Sequence, residues 1–187
     1  MNLKNKYDDI KDYYNTVKEA CYLIDNAELL GLYIPLTENW HWTYLLNVDE
    51  LETWQKVEET IEKKYLVFRD QITQKINRVY VERIRTPKPK NNNPMKYLEI
   101  ELSVWDGIDK GIQRYFNSIS EIFRENENCW LLGQYAPASE RYNWAHFFMY
   151  KSMRDLTEMD IISGRAVGRP ENVLFTVERL FKLYEKI

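Results

Sequence analysis

The ten residues from Lys96 to Trp105 constrain this chain more than any other stretch. They read KYLEIELSVW, so Leu98, Ile100, Leu102 and Val104 alternate with Glu99, Glu101 and Ser103. Period two sends alternate side chains to opposite faces of an extended backbone, which is the pattern of a β-strand. A second β-like stretch, RVYVERIR, runs from Arg78 to Arg85. Between the two lies Thr86-Pro87-Lys88-Pro89-Lys90-Asn91-Asn92-Asn93-Pro94. Proline lacks the N–H that helix and ladder need, and asparagine favours turns, so this tract continues neither element. The expectation is an antiparallel β-hairpin over about 78–104 with a long exposed tip.

Around that hairpin the apolar spacing is mostly helical. Tyr7, Ile10, Tyr14, Val17, Cys21 and Ile24 recur every three or four residues, and Gly31 closes a helix predicted over 3–30. Residues 32–36 and 40–46 read as short strands. Asp49 is placed to cap a helix carrying Leu51, Trp54, Val57 and Ile61. Past the hairpin, Ile112, Tyr115, Phe116, Ile119 and Phe123 form one helical stripe. Pro137 and Ser139 open a helix predicted to reach Met153, and Pro170 one carrying Val173, Val177, Leu180 and Tyr184. The fold class that follows is α+β: a small antiparallel sheet covered by helices that dominate the C-terminal half. Residues 1–187 read as a single domain, with a helical C-terminal subdomain over 106–187 as a variant.

Charge narrows the function classes. The net charge of −3 marks neither a nucleic-acid binder nor a nucleic-acid mimic. Locally, however, residues 78–96 carry Arg78, Arg83, Arg85, Lys88, Lys90 and Lys96 against Glu82 alone. On a projecting arm these cations would neutralise phosphates, and Asn91 and Asn92 would add hydrogen bonds. The bland alternative pairs Arg83 and Arg85 with Glu99 and Glu101 across the hairpin. Glu99 and Glu101 on one strand face also suit a hard cation, but nothing supplies a third ligand. Trp40, Trp42 and Tyr44 read as core rather than as an aromatic shelf. Two scattered cysteines and two histidines leave a zinc site unsupported. No metal and no cofactor is expected. No run of 18 apolar residues suggests a membrane span, and the expected setting is a reducing cytoplasm.

Arg141-Tyr142-Asn143-Trp144-Ala145-His146 offers a catalytic alternative. The Arg-x4-His spacing resembles the short motif of HEPN-type ribonucleases, which are helical and usually dimeric. The resemblance implies that Arg141 holds a phosphate and His146 moves a proton, without a metal. The strands expected here do not belong to that all-helical fold, and on a helix the two residues lie about 140° apart. Gly168-Arg169-Pro170-Glu171-Asn172-Val173 faintly resembles the turn of a helix-turn-helix, though a helical cap on the core fits better.

The leading expectation is therefore a non-enzymatic binding protein: an inhibitor, adaptor or regulator of bacterial or phage type. It would hold a nucleic acid or nucleoprotein complex, or an acidic protein surface, through the basic hairpin. The alternatives are the metal-independent ribonuclease and a protein-only inhibitor of immunity type.

Overall fold

The structure is a computed structural model, described for residues 3–38, 42–64, 78–89, 95–106, 110–168, 170 and 172–184; of these, the side chains of 3–10 and of Lys110 are not considered. The chain divides into two compact units, Met1–Tyr33 with Trp42–Ile76, and Ile34–His41 with Asn77–Ile187.

The first unit holds helix α1 (Leu3–Leu23), most of strand β1 (Ala27–Pro35), strand β2 (Thr43–Val48) and helix α2 (Leu51–Lys64). Tyr13, Val17 and Ala20 of α1 recur at helical spacing and bury against Val57 and Ile61 of α2. Trp42 packs against Tyr13 at a tilt, with ring centroids 4.4 Å apart, and Tyr44 packs beside them. Asp49 precedes α2 and accepts from the Thr53 hydroxyl at 2.7 Å.

The second unit holds β3 (Tyr80–Arg85), β4 (Tyr97–Trp105), α3 (Lys110–Arg124), β5 (Cys129–Pro137), β6 (Trp144–Tyr150), α4 (Met153–Ala166) and β7 (Val173–Leu183). Its strands lie in the order β7-β4-β6-β5-β3, each antiparallel to its neighbours. The run β4-α3-β5-β6-α4-β7 is thus a β-α-β-β-α-β unit of ferredoxin-like topology, with β3 added as an outer strand beside β5. Ser152 caps α4 by accepting from the Asp155 N–H. Among the described residues, no helix is long and apolar enough to cross a membrane.

Three expectations are corrected by this architecture. The 78–104 hairpin does not form: β3 pairs with β5, and β4 lies between β6 and β7. The reason is burial. Leu98, Ile100 and Leu102 on one face of β4 and Glu99 and Ser103 on the other are all under a tenth exposed, so β4 is an interior strand needing partners on both sides. The helices expected over 137–153 and from Pro170 onward are strands. Phe147, Phe148, Met149 and Tyr150 form an unbroken apolar run because β6 is buried on both faces, which hides its period. In β7 the four-residue spacing of Val173, Val177 and Phe181 suits either period, and pairing with β4 from Tyr97 to Trp105 decides for the strand. The C-terminal half is therefore not a helical cover. It supplies four strands of the sheet, β4 to β7.

Candidate acid–base site

Strand register assembles a polar row that no local motif announces. Glu178 of β7 lies opposite Glu101 of β4, Glu101 opposite His146 of β6, and His146 opposite Gln134 of β5. Directly opposed residues point to the same face, so four consecutive strands present Glu178, Glu101, His146 and Gln134 side by side. The face is the one against which α3 packs. Tyr115 of α3 donates its hydroxyl to Glu101, 3.1 Å from Oε2, and its ring lies 5.4 Å from that of His146. Phe116 stacks on the imidazole at 6.1 Å, Phe148 lies at 6.2 Å, and Trp105 lies 5.6 Å from Tyr115.

Within the row the hydrogen bonds form a chain. His146 Nδ1 is 3.1 Å from Glu101 Oε1, and His146 Nε2 is 3.2 Å from the Gln134 amide nitrogen. His146 is 1 % exposed, whereas the Glu101 side chain keeps 18 %. Glu101 is the least buried member of the chain. Beside it, Asp160 of α4 and Glu178 are exposed, and both carboxyls are held above their ordinary range by burial of their inner atoms and by neighbouring carboxylates, Glu101 among them.

One step along β4, on the same face, Glu99 is 7 % exposed and accepts from the Tyr150 hydroxyl at 2.6 Å. Burial pushes its carboxyl up to about 8. The Tyr150 bond opposes this, and the charges of Asp160, Glu178 and Glu101 add to it. Glu99 is thus a neutral acid through most of the physiological range. Burial first, and then Glu101, raises the Tyr115 hydroxyl, which stays protonated and donating.

A second cluster lies in the same unit and accounts for Arg78. Arg78 donates to both oxygens of Glu38, at 2.9 and 3.2 Å. Arg179 donates to both oxygens of Glu140, at 2.5 and 2.9 Å, and lies 3.3 Å from Glu38. The Tyr80 hydroxyl donates to Glu140 at 3.0 Å. Two guanidinium groups and two carboxylates saturate each other, so this cluster reads as a clasp. Burial alone raises Glu140, but the hydrogen bonds and charge of Arg179 outweigh it and hold the carboxyl below its ordinary range.

The remaining residues singled out from the sequence are dispersed. Arg85 pairs with Glu82 at 3.7 Å, and neither Arg83 nor Arg85 faces Glu99 or Glu101, because β3 and β4 are not neighbours. Arg83 and Lys88 are exposed. The Lys96 backbone N–H donates to the Tyr150 carbonyl at 2.8 Å. Lys90, Asn91 and Asn92, with Trp40, lie outside the described residues. Arg141 is exposed in the β5–β6 turn, with its guanidinium 5.7 Å from the Phe175 ring, while His146 is buried on a strand with both nitrogens engaged. They form neither a helix nor a joint site. Among the described residues, no group of three or more His, Cys, Asp or Glu is placed to hold a metal ion.

The residues that matter here, Gln134, Tyr115, Tyr150 and Glu178, were not singled out from the sequence. The available signal was polar residues inside apolar runs: Glu99 and Glu101 in YLEIELSVW, and His146 in WAHFFMY. Buried polar groups need partners, so such positions point to a network.

No protein-family model matches the chain, and no curated protein matches it. Solved structures do. A "putative monooxygenase" from Fusobacterium nucleatum superposes with a TM-score of 0.60 over 96 % of this chain and 87 % of its own, at 12 % identity. A "putative monooxygenase" from Lactobacillus acidophilus superposes with a TM-score of 0.61 over 93 % of this chain and 87 % of its own, at 8 % identity. The fold overturns the expected inhibitor, adaptor or regulator of bacterial or phage type, with its ribonuclease and immunity-protein alternatives: among the described residues β3 and β4 form no basic hairpin, Arg141 and His146 form no helical motif, and the chains of like fold are described as "putative monooxygenases". At such identities the likeness is one of fold.

Proposed function

We propose that this protein is an oxygenase-type enzyme that begins by taking a proton from a small, weakly acidic hydroxyaromatic molecule, with Glu101 as the base. The observation that carries the reading is the chain Glu101–His146–Gln134, set among aromatic rings on the helix-covered face of the sheet. The Glu101 carboxylate is held by the Tyr115 hydroxyl and lies within hydrogen-bond distance of His146 Nδ1, with part of its side chain still exposed, which fixes a base in place. The adjoining Glu99 supplies a neutral acid within the same small region. The names of the fold neighbours support the oxygenase part by analogy only. A naphthol-type substrate makes the chemistry balance: one naphthol and one O₂ give one quinone and one water, and all four electrons come from the substrate. Removal of the phenolic proton raises the ring's electron density, so oxygen takes electrons from the anion rather than from the neutral molecule. The buried thiols Cys21 and Cys129 fit a reducing, cytoplasmic setting for this activity.

An oxygen electrode with mass spectrometry over a panel of naphthols and hydroquinones tests the reading. Wild-type protein is expected to consume one O₂ per substrate. Glu101→Gln should lower kcat on the order of 10²–10⁴-fold, the usual worth of a positioned base. No uptake with any panel member, or equal rates for the variant, would refute it.

A further inference from the structure

We propose that Gln134 is a positioning residue. Its amide keeps the single proton of His146 on Nδ1, pointed at Glu101, and it inverts when the imidazole takes up a second proton. The inference rests on the reading of Glu101 as base and extends it to the residue that sets the state of that base's partner.

The argument is one of donors and acceptors. Gln134 is 2 % exposed and His146 1 %, so bulk water reaches neither. The amide nitrogen, which only donates, faces Nε2 at 3.2 Å. Nε2 must then accept, which leaves the proton on Nδ1, 3.1 Å from an oxygen of Glu101 that only accepts when ionised. The opposite tautomer would set a donor against a donor at Nε2 and a lone pair against a carboxylate at Nδ1. The imidazolium is different: both nitrogens donate, and Gln134 meets Nε2–H by turning its carbonyl oxygen inward. Each end of the amide therefore matches one protonation state. The groups facing this pair are Glu101 from β4, Tyr115 and Phe116 from α3 and Phe148 from β6, with Glu178 of β7, Asp160 of α4 and Glu99 acting through Glu101. Gln134 is the single neutral member able to both donate and accept at Nε2.

The first part of the test needs no substrate. The chain has two histidines, so His41→Gln leaves the ring nitrogens of His146 as the only imidazole signals in a ¹⁵N-labelled sample. At pH 7 long-range ¹H–¹⁵N correlation should show a pyrrole-type Nδ1 and a pyridine-type Nε2. Gln134→Glu offers Nε2 an acceptor only, and should raise the midpoint of His146 protonation by about 1–3 units. The pH profile of turnover should move by the same amount, which a merely space-filling Gln134 would not cause. Gln134→Met keeps the volume but removes the donor, and should give a mixture of tautomers. An Nε2–H tautomer in the wild-type chain, or an unmoved midpoint in Gln134→Glu, overturns the assignment. A wild-type chain with the Nδ1–H tautomer that oxidises no hydroxyaromatic overturns the oxygenase reading and leaves the Gln134 assignment standing.

Discussion

Glu99→Gln separates the electrostatic cost of the site from its packing. The Glu99 carboxyl is pushed from 4.5 to about 8, chiefly by burial. Between those values the folded chain holds a proton that the unfolded chain has released. Stability must therefore fall as pH rises through that window. The full contribution is present below the unfolded value and is lost progressively up to the folded one. A displacement of this size is on the order of 5 kcal/mol, with about 3 kcal/mol already lost by pH 7. Glutamine has the shape of the neutral acid, and its carbonyl oxygen still accepts from Tyr150. Near pH 5 the variant should match the wild type within about 1 kcal/mol. Above pH 8 it should be more stable by several kcal/mol. Urea unfolding of both chains from pH 5 to 9 reads this directly, as midpoints that coincide in acid and diverge in base. Parallel curves across the range would show that Glu99 titrates alike in both states, and would refute the claim that the helix-covered face desolvates it.

Three further outcomes follow from the same geometry. Arg179→Met strips Glu140 of its bidentate partner and leaves Arg78 to serve both Glu38 and Glu140, and should cost about 3 kcal/mol in urea unfolding, with part recovered by adding Glu140→Gln. A Cβ at Gly133 would lie 2.4 Å from the Ile84 carbonyl oxygen, so Gly133→Ala should force β3 away from β5, cost about 1–3 kcal/mol and speed amide exchange along 80–85. Burial raises the thiols of Cys21 and Cys129 to about 11 and about 12, so a disulfide reagent at pH 8 should label the folded chain at the rate of its opening and the urea-unfolded chain at once.

How far the sequence speaks depends on where each element finds its partners. Helix α3 is legible because its buried stripe, Ile112, Phe116, Ile119 and Phe123, is set by a local period and one apolar face. Strand β4 is legible as a strand for the same reason, yet its partners are not. Nearest-neighbour reasoning pairs it with 78–85 across the proline tract, whereas its ladders run to β6 and to β7. The two strands that replace expected helices fail differently: β6 shows no period because both its faces are covered, and β7 shows an ambiguous one. The candidate site inherits every one of these difficulties. Its row draws one residue from each of β7, β4, β6 and β5, and a register slip of one residue on any strand would turn that residue to the opposite face. What the sequence does carry is the demand for such a row. A strand covered on both faces cannot bury Glu99 and Glu101 unpaired, so the elements that cover β4 must bring donors to them. Tyr150 and His146 arrive four residues apart on the neighbouring β6, on the same face as the carboxylates they meet, and Tyr115 descends from α3. That the donors are two phenols and an imidazole rather than arginine or lysine is the functional clue. Arginine would neutralise these carboxylates, as Arg78 and Arg179 do in the clasp, whereas phenols and an imidazole orient them through groups that can themselves pass a proton.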